Sequence, residues 1–329
     1  MLSPAPLLPR PPASSPITPF IERQGALVLD GGLATELERR GADLSDALWS
    51  ARLLADDPAL IHQVHLDYYW AGADCCTSAS YQATIPGFVA RGMTEEEARS
   101  LIRLSVQLAA EARDAFWAAG PHRRRLRPLV AASVGPYGAY LADGSEYRGD
   151  YDLDEAGLLA FHGQRWALLA GSGADLLACE TLPSFAEARA LAGLLAQTPG
   201  AWAWFSFTCR DGVHISDGTP IAACAAYLAG RPGVAAVGVN CTPPRLIPDL
   251  IRAISTVTDI PIVVYPNSGE SYDPVARRWR GESVPAEFGT FSREWRKLGA
   301  ALIGGCCRTT PAHIRQISDR FRRNAWPTE

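Results

Sequence analysis

Short apolar runs alternate with longer amphipathic stretches along the chain from residue 26 onward. The runs are rich in Ala, Val, Ile and Leu and contain few polar residues, which is typical of parallel strands that are buried on both faces. We predict eight strands, at residues 26–30, 73–80, 128–134, 174–180, 201–208, 234–240, 260–265 and 300–303.

The stretches between these runs carry apolar residues at the spacing of an amphipathic helix. Thr94 followed by Glu97, and Ser184 followed by Glu187, also have the spacing of an N-cap residue with its capping-box partner. We predict helices at residues 58–71, 94–119, 153–170, 184–196, 220–228, 244–256, 284–298 and 311–322.

Strict alternation of strand and helix, repeated eight times, predicts an α/β protein whose residues 21–325 form one (β/α)8 TIM barrel. A doubly wound open sheet is the alternative. Asp30-Gly31-Gly32, after the first strand, is however too short for the glycine motif of a dinucleotide site. Residues 1–20 are rich in proline, and we expect them to form a disordered, extended tail.

Composition and charge exclude several kinds of partner. Charged residues make up 20% of the 329 residues, the net charge is −4, and the arginine clusters at 123–125 and 277–278 are short, so we expect no nucleic-acid partner. No apolar run reaches the roughly 18 residues of a membrane span, so we expect no membrane partner either. The eight cysteines do not resemble a disulfide framework, and a reducing cytoplasm is the expected setting. The sequence contains no coiled-coil repeat, so it does not indicate an oligomeric state.

Three thiols lie at the predicted carboxyl ends of two strands, which is where barrel enzymes place their active sites. Cys241 follows the sixth run, and the adjacent Cys306 and Cys307 follow the eighth, behind Gly304-Gly305. Three thiolates without a fourth protein ligand suit a Zn²⁺ that keeps one open position for an incoming sulfur ligand. The alternatives are three ordinary core thiols, or a zinc-free redox dithiol formed by Cys241 and Cys306.

Asp30 and Glu180 end the first and the fourth predicted strands, where a carboxylate is costly unless it has a partner. We interpret the two acids as a clamp for a substrate ammonium, and the alternative is a structural role as a helix N-cap or in an arginine pair. A zinc hydrolase with Glu180 as its base is a further hypothesis. The six histidines argue against it, because none has a metal-binding spacing such as HExxH.

Aromatic residues lie on or near several predicted strand ends. Their faces suit a cationic ligand such as a sulfonium, and ordinary packing at the barrel rim is the alternative. Two long connections, at residues 135–152 and 267–283, are rich in Gly, Tyr and Asp and are predicted to form the substrate pocket or its lid. The aromatic residues are Trp49, Tyr81, Tyr137, Tyr140, Tyr147 and Tyr265.

A series of motifs resembles the zinc-dependent homocysteine S-methyltransferases. The resemblance runs from about residue 26 to residue 317 and is most specific in the last motif together with the upstream Asn-Cys pair. Members of this family fold as (β/α)8 barrels, which agrees with the strand count. The motifs are Leu29-Asp30-Gly31-Gly32, Leu48-Trp49-Ser50, Ser80-Tyr81-Gln82-Ala83-Thr84, Glu180-Thr181, Gly238-Val239-Asn240-Cys241-Thr242, Tyr265-Pro266-Asn267-Ser268-Gly269-Glu270 and Gly304-Gly305-Cys306-Cys307-Arg308.

The resemblance implies a role for each of these site residues. The three cysteines would be the catalytic zinc ligands, and the sulfur of homocysteine would be the fourth ligand. The two acids would hold the amino group of homocysteine, and four further residues would line the substrate pocket. The implied residues are Cys241, Cys306 and Cys307 for zinc, Asp30 and Glu180 for the amino group, and Asn240, Ser80, Tyr81 and Trp49 for the pocket.

The resemblance also implies the reaction, which is transfer of a methyl group from a sulfonium donor to zinc-bound homocysteine thiolate, with methionine as the product. Residues 265–270 and 279–291 look most like the branch that uses S-methylmethionine, while S-adenosylmethionine stays open as a donor. The betaine-using branch is a weaker match. Cobalamin-dependent methionine synthases have a similar barrel but need folate and cobalamin modules that 329 residues cannot hold.

Overall fold

Eight barrel strands and one short antiparallel pair are the strands in the part of the chain that the computed structural model describes. The structure describes residues 14–44, 49–120, 122, 125–273, 278–280 and 284–325. The strands are β1 (Leu27–Val28), β2 (Cys75–Thr77), β3 (Leu129–Val134), β4 (Leu176–Leu182), β5 (Ala203–Phe207), β6 (Val234–Asn240), β7 (Ile262–Tyr265), β8 (Ser271–Asp273), β9 (Arg278–Arg280) and β10 (Ala300–Ile303).

The eight barrel strands are all parallel and follow the order β1-β10-β7-β6-β5-β4-β3-β2 around the sheet. A parallel bridge between Leu29 and Cys75 joins the first strand to the second and closes the ring. The predicted (β/α)8 barrel is therefore confirmed. The antiparallel pair β8–β9 lies in the long connection after β7 and was not predicted.

Helices connect the strands on the outside of the barrel. Within the described residues, none of them is long and apolar enough to span a membrane. The helices are α1 (Thr18–Gln24), α2 (Leu33–Arg39), α3 (Leu53–Asp56), α4 (Pro58–Ala71), α5 (Ile85–Val89), α6 (Glu95–Ala118), α7 (Tyr137–Leu141), α8 (Glu155–Ala170), α9 (Phe185–Ala196), α10 (Ile221–Ala229), α11 (Ile247–Ser255), α12 (Pro285–Lys297) and α13 (Pro311–Ala325), with 3₁₀ turns at Trp49–Arg52, Ser145–Tyr147 and Pro244–Leu246.

The helix-start signals had different outcomes. Thr94 and Glu97 form the predicted capping box at the start of α6. Ser184 occupies the N-cap position of α9, but its side chain makes no capping bond. Asp217 accepts the hydrogen bond from the backbone N–H of Phe185 instead, at 2.7 Å. The prediction of Ser184 as a side-chain cap was therefore wrong, although Asp217 satisfies the first backbone donor of the helix.

Side chains fill the inside of the barrel, among them Trp204, whose indole N–H donates to the hydroxyl of Tyr265 at 3.0 Å. Helix α1 begins at Thr18, within the last residues of the predicted tail 1–20. Ile17 and Phe20 are buried, and they pack with the same inner cluster. Residues 1–13 lie outside the described residues.

Gly238 in β6 offers a direct test of how tightly the barrel is closed beside the site. A Cβ atom at this position would lie 1.8 Å from the backbone oxygen of Val263 in β7. We expect Gly238→Ala to lower the free energy of unfolding by about 3 kcal/mol or more, because two backbones would have to separate. Thermal or urea unfolding measures this. Gly163→Ala in α8, where no atom lies within 4 Å of an added Cβ, is the control and should stabilise the protein or leave it unchanged. Equal stability of the two variants would contradict the packing argument.

Candidate metal and substrate site

Two chain segments bring the three predicted thiols together at the carboxyl end of the barrel. Cys241 directly follows β6 in a left-handed backbone conformation, with φ of 48°. Cys306 and Cys307 follow β10, and β7 is the only strand between β6 and β10. Residues 66 positions apart in the chain are therefore near neighbours around the ring.

Backbone hydrogen bonds hold both segments against the end of β7. The N–H of Cys241 donates to the carbonyl of Tyr265 at 3.2 Å, and the N–H of Cys306 donates to that of Pro266 at 2.7 Å. Gly304 passes so close to β1 that a Cβ atom there would lie 2.7 Å from the carbonyl oxygen of Asp30. A glycine is therefore required where the chain turns toward the two cysteines.

The three sulfurs lie within 4.8 Å of one another, and all three residues are half-buried. The Sγ atoms of Cys241 and Cys307 are 3.4 Å apart. Hydrogen bonds from Cys306 and Cys307 lower the pKa of Cys241 well below its usual value, and the same contacts raise the pKa of Cys306. The cluster thus favours a thiolate at Cys241 even before a ligand is considered.

Glu180 lies on β4 and faces the interior of the mouth. Its Oε1 accepts a hydrogen bond from the hydroxyl of Ser133, and its Oε2 accepts one from the hydroxyl of Tyr265 at 3.0 Å. Burial raises the pKa of Glu180 to about 7, although both hydroxyls favour the ionised form. Among the described residues Glu180 forms no ion pair, so the predicted alternative of an arginine partner is not observed.

Asp30 follows β1 and is buried. Its Oδ2 accepts hydrogen bonds from the backbone N–H of Thr77 at 2.8 Å and from the hydroxyl of the same residue at 3.2 Å. Burial raises the pKa of Asp30 well above its usual value, and the charge of Glu180 adds to this effect. Gly32, not Asp30, is the N-cap of α2, so Asp30 has no capping role there.

A second group of possible metal ligands consists of Asp30, His65 and Cys76, whose ligand atoms also lie within 4.8 Å of one another. All three residues are buried, and burial lowers the pKa of His65 to about 3. The cysteine cluster differs because its residues are half-buried at the mouth, where a small molecule can reach them. The other five cysteines are buried, as expected for interior thiols.

The remaining predicted residues lie around this mouth in different roles. Asn240 is fully buried; its amide oxygen accepts from the N–H of Thr181 at 2.7 Å, and its Nδ2 approaches the sulfur of Cys306 at 3.9 Å. Ser80 is also buried and donates to the carbonyl of Ser133 at 2.7 Å. Tyr81 is half-buried. Trp49 begins a 3₁₀ turn, and its side chain lies outside the described residues.

Glu146 is a neighbour of the cluster that was not predicted. Burial raises the pKa of Tyr81, and the charge of Glu146 adds to this effect. Burial also raises the pKa of Glu146, and the charge of Cys241 contributes to it. Tyr147, one of the predicted aromatic residues, has its hydroxyl 3.7 Å from the sulfur of Cys241. Both residues lie in the connection 135–152, whose length and composition predicted a substrate loop. Nothing in the sequence distinguishes Glu146 from the other acids of that loop.

The chain is similar to proteins of one known family. A family model described as homocysteine S-methyltransferase matches residues 27–321, which is most of the chain. The chain belongs to the homocysteine S-methyltransferase family. The homocysteine S-methyltransferase YbgG of Bacillus subtilis is 53% identical over 92% of this chain and 97% of the relative. The homocysteine S-methyltransferase of Escherichia coli is 52% identical over 93% of this chain and 99% of the relative.

The same family includes a solved structure with a metal. The crystal structure of the homocysteine methyltransferase MmuM from Escherichia coli, in its metallated form, superposes with a TM-score of 0.84. It is 50% identical in sequence and covers 93% of this chain and 100% of its own. A metal centre is thus present in a close relative that shares this barrel.

Proposed function

We propose that the protein transfers a methyl group from a sulfonium donor to the sulfur of homocysteine and forms methionine. The observation that carries the proposal is the meeting of Cys241, Cys306 and Cys307 at the mouth of the barrel, in a chain that belongs to the homocysteine S-methyltransferase family. The neighbouring carboxyl groups of Asp30 and Glu180 supply the charge that an amino-acid substrate needs.

The three cysteines fit Zn²⁺, and we assign them as its ligands. In a tetrahedral site with Zn–S distances of about 2.3 Å, sulfurs lie roughly 3.8 Å apart. Here all three lie within 4.8 Å of one another and the Cys241–Cys307 pair is at 3.4 Å, so one ion can contact all of them with little rearrangement. Bound there, Zn²⁺ would supply an open position for a sulfur ligand and would favour the ionised form of the homocysteine thiol.

Asp30 and Glu180 would bind and orient the acceptor through its ammonium group. Both carboxyls are buried and neither has a cationic partner among the described residues, so an ammonium would compensate a charge that burial disfavours. Ser133, Thr77 and Tyr265 fix the two carboxyls by hydrogen bonds. Because the acceptor is already fixed, less entropy is lost when its sulfur is aligned with the donor methyl group in the transition state.

The transfer itself needs no strong general acid. The bond between the donor sulfur and its methyl carbon breaks, and its electron pair stays on the donor sulfur, which leaves as a neutral thioether. A lone pair of the acceptor sulfur forms the new bond to that carbon. The chain's contribution is therefore activation of the acceptor and alignment of the donor, and S-methylmethionine is the donor we favour. The eight free thiols support a reducing compartment such as the cytoplasm.

Metal analysis and a donor panel test the proposal together. We expect purified, reduced protein to contain about one zinc per chain and to form methionine from homocysteine with S-methylmethionine. S-adenosylmethionine and betaine serve as the competing donors. Zinc-free protein that cycles between dithiol and disulfide would favour the redox alternative. Zinc-containing protein that transfers no methyl group from any of the three donors would contradict the assigned reaction.

A further inference from the structure

Glu146 is an acid at the mouth that the proposed reaction has not yet used. It lies in the 3₁₀ turn Ser145–Tyr147, next to the tyrosine whose hydroxyl is 3.7 Å from the sulfur of Cys241. Its Oε2 atom is buried and has no hydrogen-bond partner within the part of the chain that the structure describes. A buried carboxylate oxygen without a partner is costly, so this atom is suited to a ligand that the protein itself does not supply.

The backbone of Glu146 is held in place from two sides. Gly138 in α7 packs so closely that a Cβ atom there would lie 2.3 Å from the backbone nitrogen of Glu146. The hydroxyl of Thr208 donates to the carbonyl of Glu146 at 3.4 Å. The start of the same loop is fixed because the buried carboxylate of Glu187 accepts from the N–H of Tyr137 at 2.6 Å. The acid is therefore presented by a fixed turn.

The nearest arginine in sequence is already used by other acids. Arg148 pairs with Asp150 at 3.1 Å and approaches Asp143 at 3.9 Å, and all three side chains are exposed. Among the described residues Glu146 forms no ion pair; burial raises its pKa, and the charge of the exposed Arg148 offsets this only in part. A positively charged ligand would pair with the carboxylate and would compensate the cost of burying its negative charge.

Resting on the methyl transfer proposed above, we propose that the Glu146 carboxylate binds the positive charge of the methyl donor. Asp30 and Glu180 lie at strand ends and take the acceptor's ammonium, whereas Glu146 lies in a loop next to Tyr147, which contacts Cys241. The ring of Tyr147 is 47% exposed beside Cys241 and offers a face to the donor cation. The two substrates would thus be held by different acids of the mouth.

Contact of Glu146 with the sulfonium would let the site distinguish the donor from its product. The donor sulfur is positive before transfer and neutral after it, because the electron pair of the broken bond remains on it. Attraction between Glu146 and a sulfonium therefore disappears as the methyl group leaves. Attraction to a donor ammonium, in contrast, would persist in the product.

Steady-state kinetics of Glu146→Gln test the inference. We expect KM for S-methylmethionine to rise about 10- to 100-fold, with KM for homocysteine changed less than about threefold, because only the donor loses a charged partner. Asp143→Asn is the matched control: it removes the same charge from the same loop, but that carboxylate is exposed and accepts from the N–H of Ser145. It should leave both KM values unchanged. Zinc content and the unfolding temperature confirm that each variant is folded.

The des-amino analogue of S-methylmethionine, 4-(dimethylsulfonio)butanoate, identifies the charge that Glu146 binds. An equal loss with both donors places the sulfonium against Glu146, and a loss confined to S-methylmethionine places the ammonium there. An unchanged donor KM in Glu146→Gln, or an equal rise in both substrates' KM, would overturn the inference. The proposed reaction would fail separately, through absence of methyl transfer by the unaltered protein.

Discussion

Replacing Cys306 with serine is expected to abolish zinc binding and methyl transfer together. A hydroxyl is a poor ligand near neutral pH because it stays protonated, and the two remaining thiols do not hold a tetrahedral ion at useful affinity. We expect zinc content below about 0.1 per chain and turnover reduced at least about 10³-fold. Metal analysis of the purified variant and a methionine-formation assay measure the two effects.

Cys224→Ala is the matched control for this loss of a thiol. Cys224 is buried in α10 and does not belong to the sulfur cluster. This variant should keep full zinc and most of its activity, with some loss of stability from the missing sulfur. Normal zinc content and normal turnover in Cys306→Ser would refute the ligand assignment. A comparable loss of zinc in both variants would point to general unfolding instead.

The second large effect is expected from Glu180→Gln. The amide keeps the shape of the side chain but cannot supply the charge that an ammonium needs, so kcat/KM for homocysteine should fall about 100-fold. The same residue predicts a pH dependence in the unaltered protein. Because burial raises the pKa of Glu180 to about 7, the carboxylate is ionised above that pH and neutral below it. KM for homocysteine should therefore rise as the pH falls through about 7, by roughly tenfold per pH unit.

In Glu180→Gln this dependence should be flattened over the same range, which separates a charge effect from a change of shape. Glu155→Gln is the control, because that exposed acid pairs with Arg189 at 2.8 Å on the outer surface. It should behave like the unaltered protein at every pH. A homocysteine KM that rises with the same slope in Glu180→Gln would exclude Glu180 as the ammonium ligand.

The sequence was sufficient for the barrel because each repeat of strand and helix carries its own pattern. Strand β6 and helix α4 have the predicted limits at both ends, since an apolar run with clear polar boundaries defines each of them. Strand β1 is only two residues long, which is shorter than the predicted run 26–30. Leu29 still pairs with Cys75 of β2, but only through a single isolated bridge. Helix α1 was missed, because prolines suggested an extended chain, although Pro19 lies in the first turn, where a proline is tolerated.

The sequence predicts those site residues that belong to a recognisable motif at the end of a strand. Cys241, Cys306 and Cys307 follow strands that close one ring, so their approach follows from the fold. The contacts of Glu180 with Ser133 and Tyr265 join three strands and depend on side-chain directions that the sequence does not give. Glu146 was missed for a similar reason: its role depends on a buried oxygen without a partner, which only the packing of the loop reveals.

The buried cluster that joins Ile17 and Phe20 to Trp204 and Tyr265 has a consequence for how the reactants reach the site. Because side chains fill the channel beneath the sulfur cluster, both reactants must enter, and both products must leave, through the same opening. On the proposed assignment, the acceptor is held by the acids on the strand ends, and we expect it to bind before the donor. An excess of the outer reactant would then block the way in, so the relative abundance of the two metabolites, and not only their total supply, would set the flux.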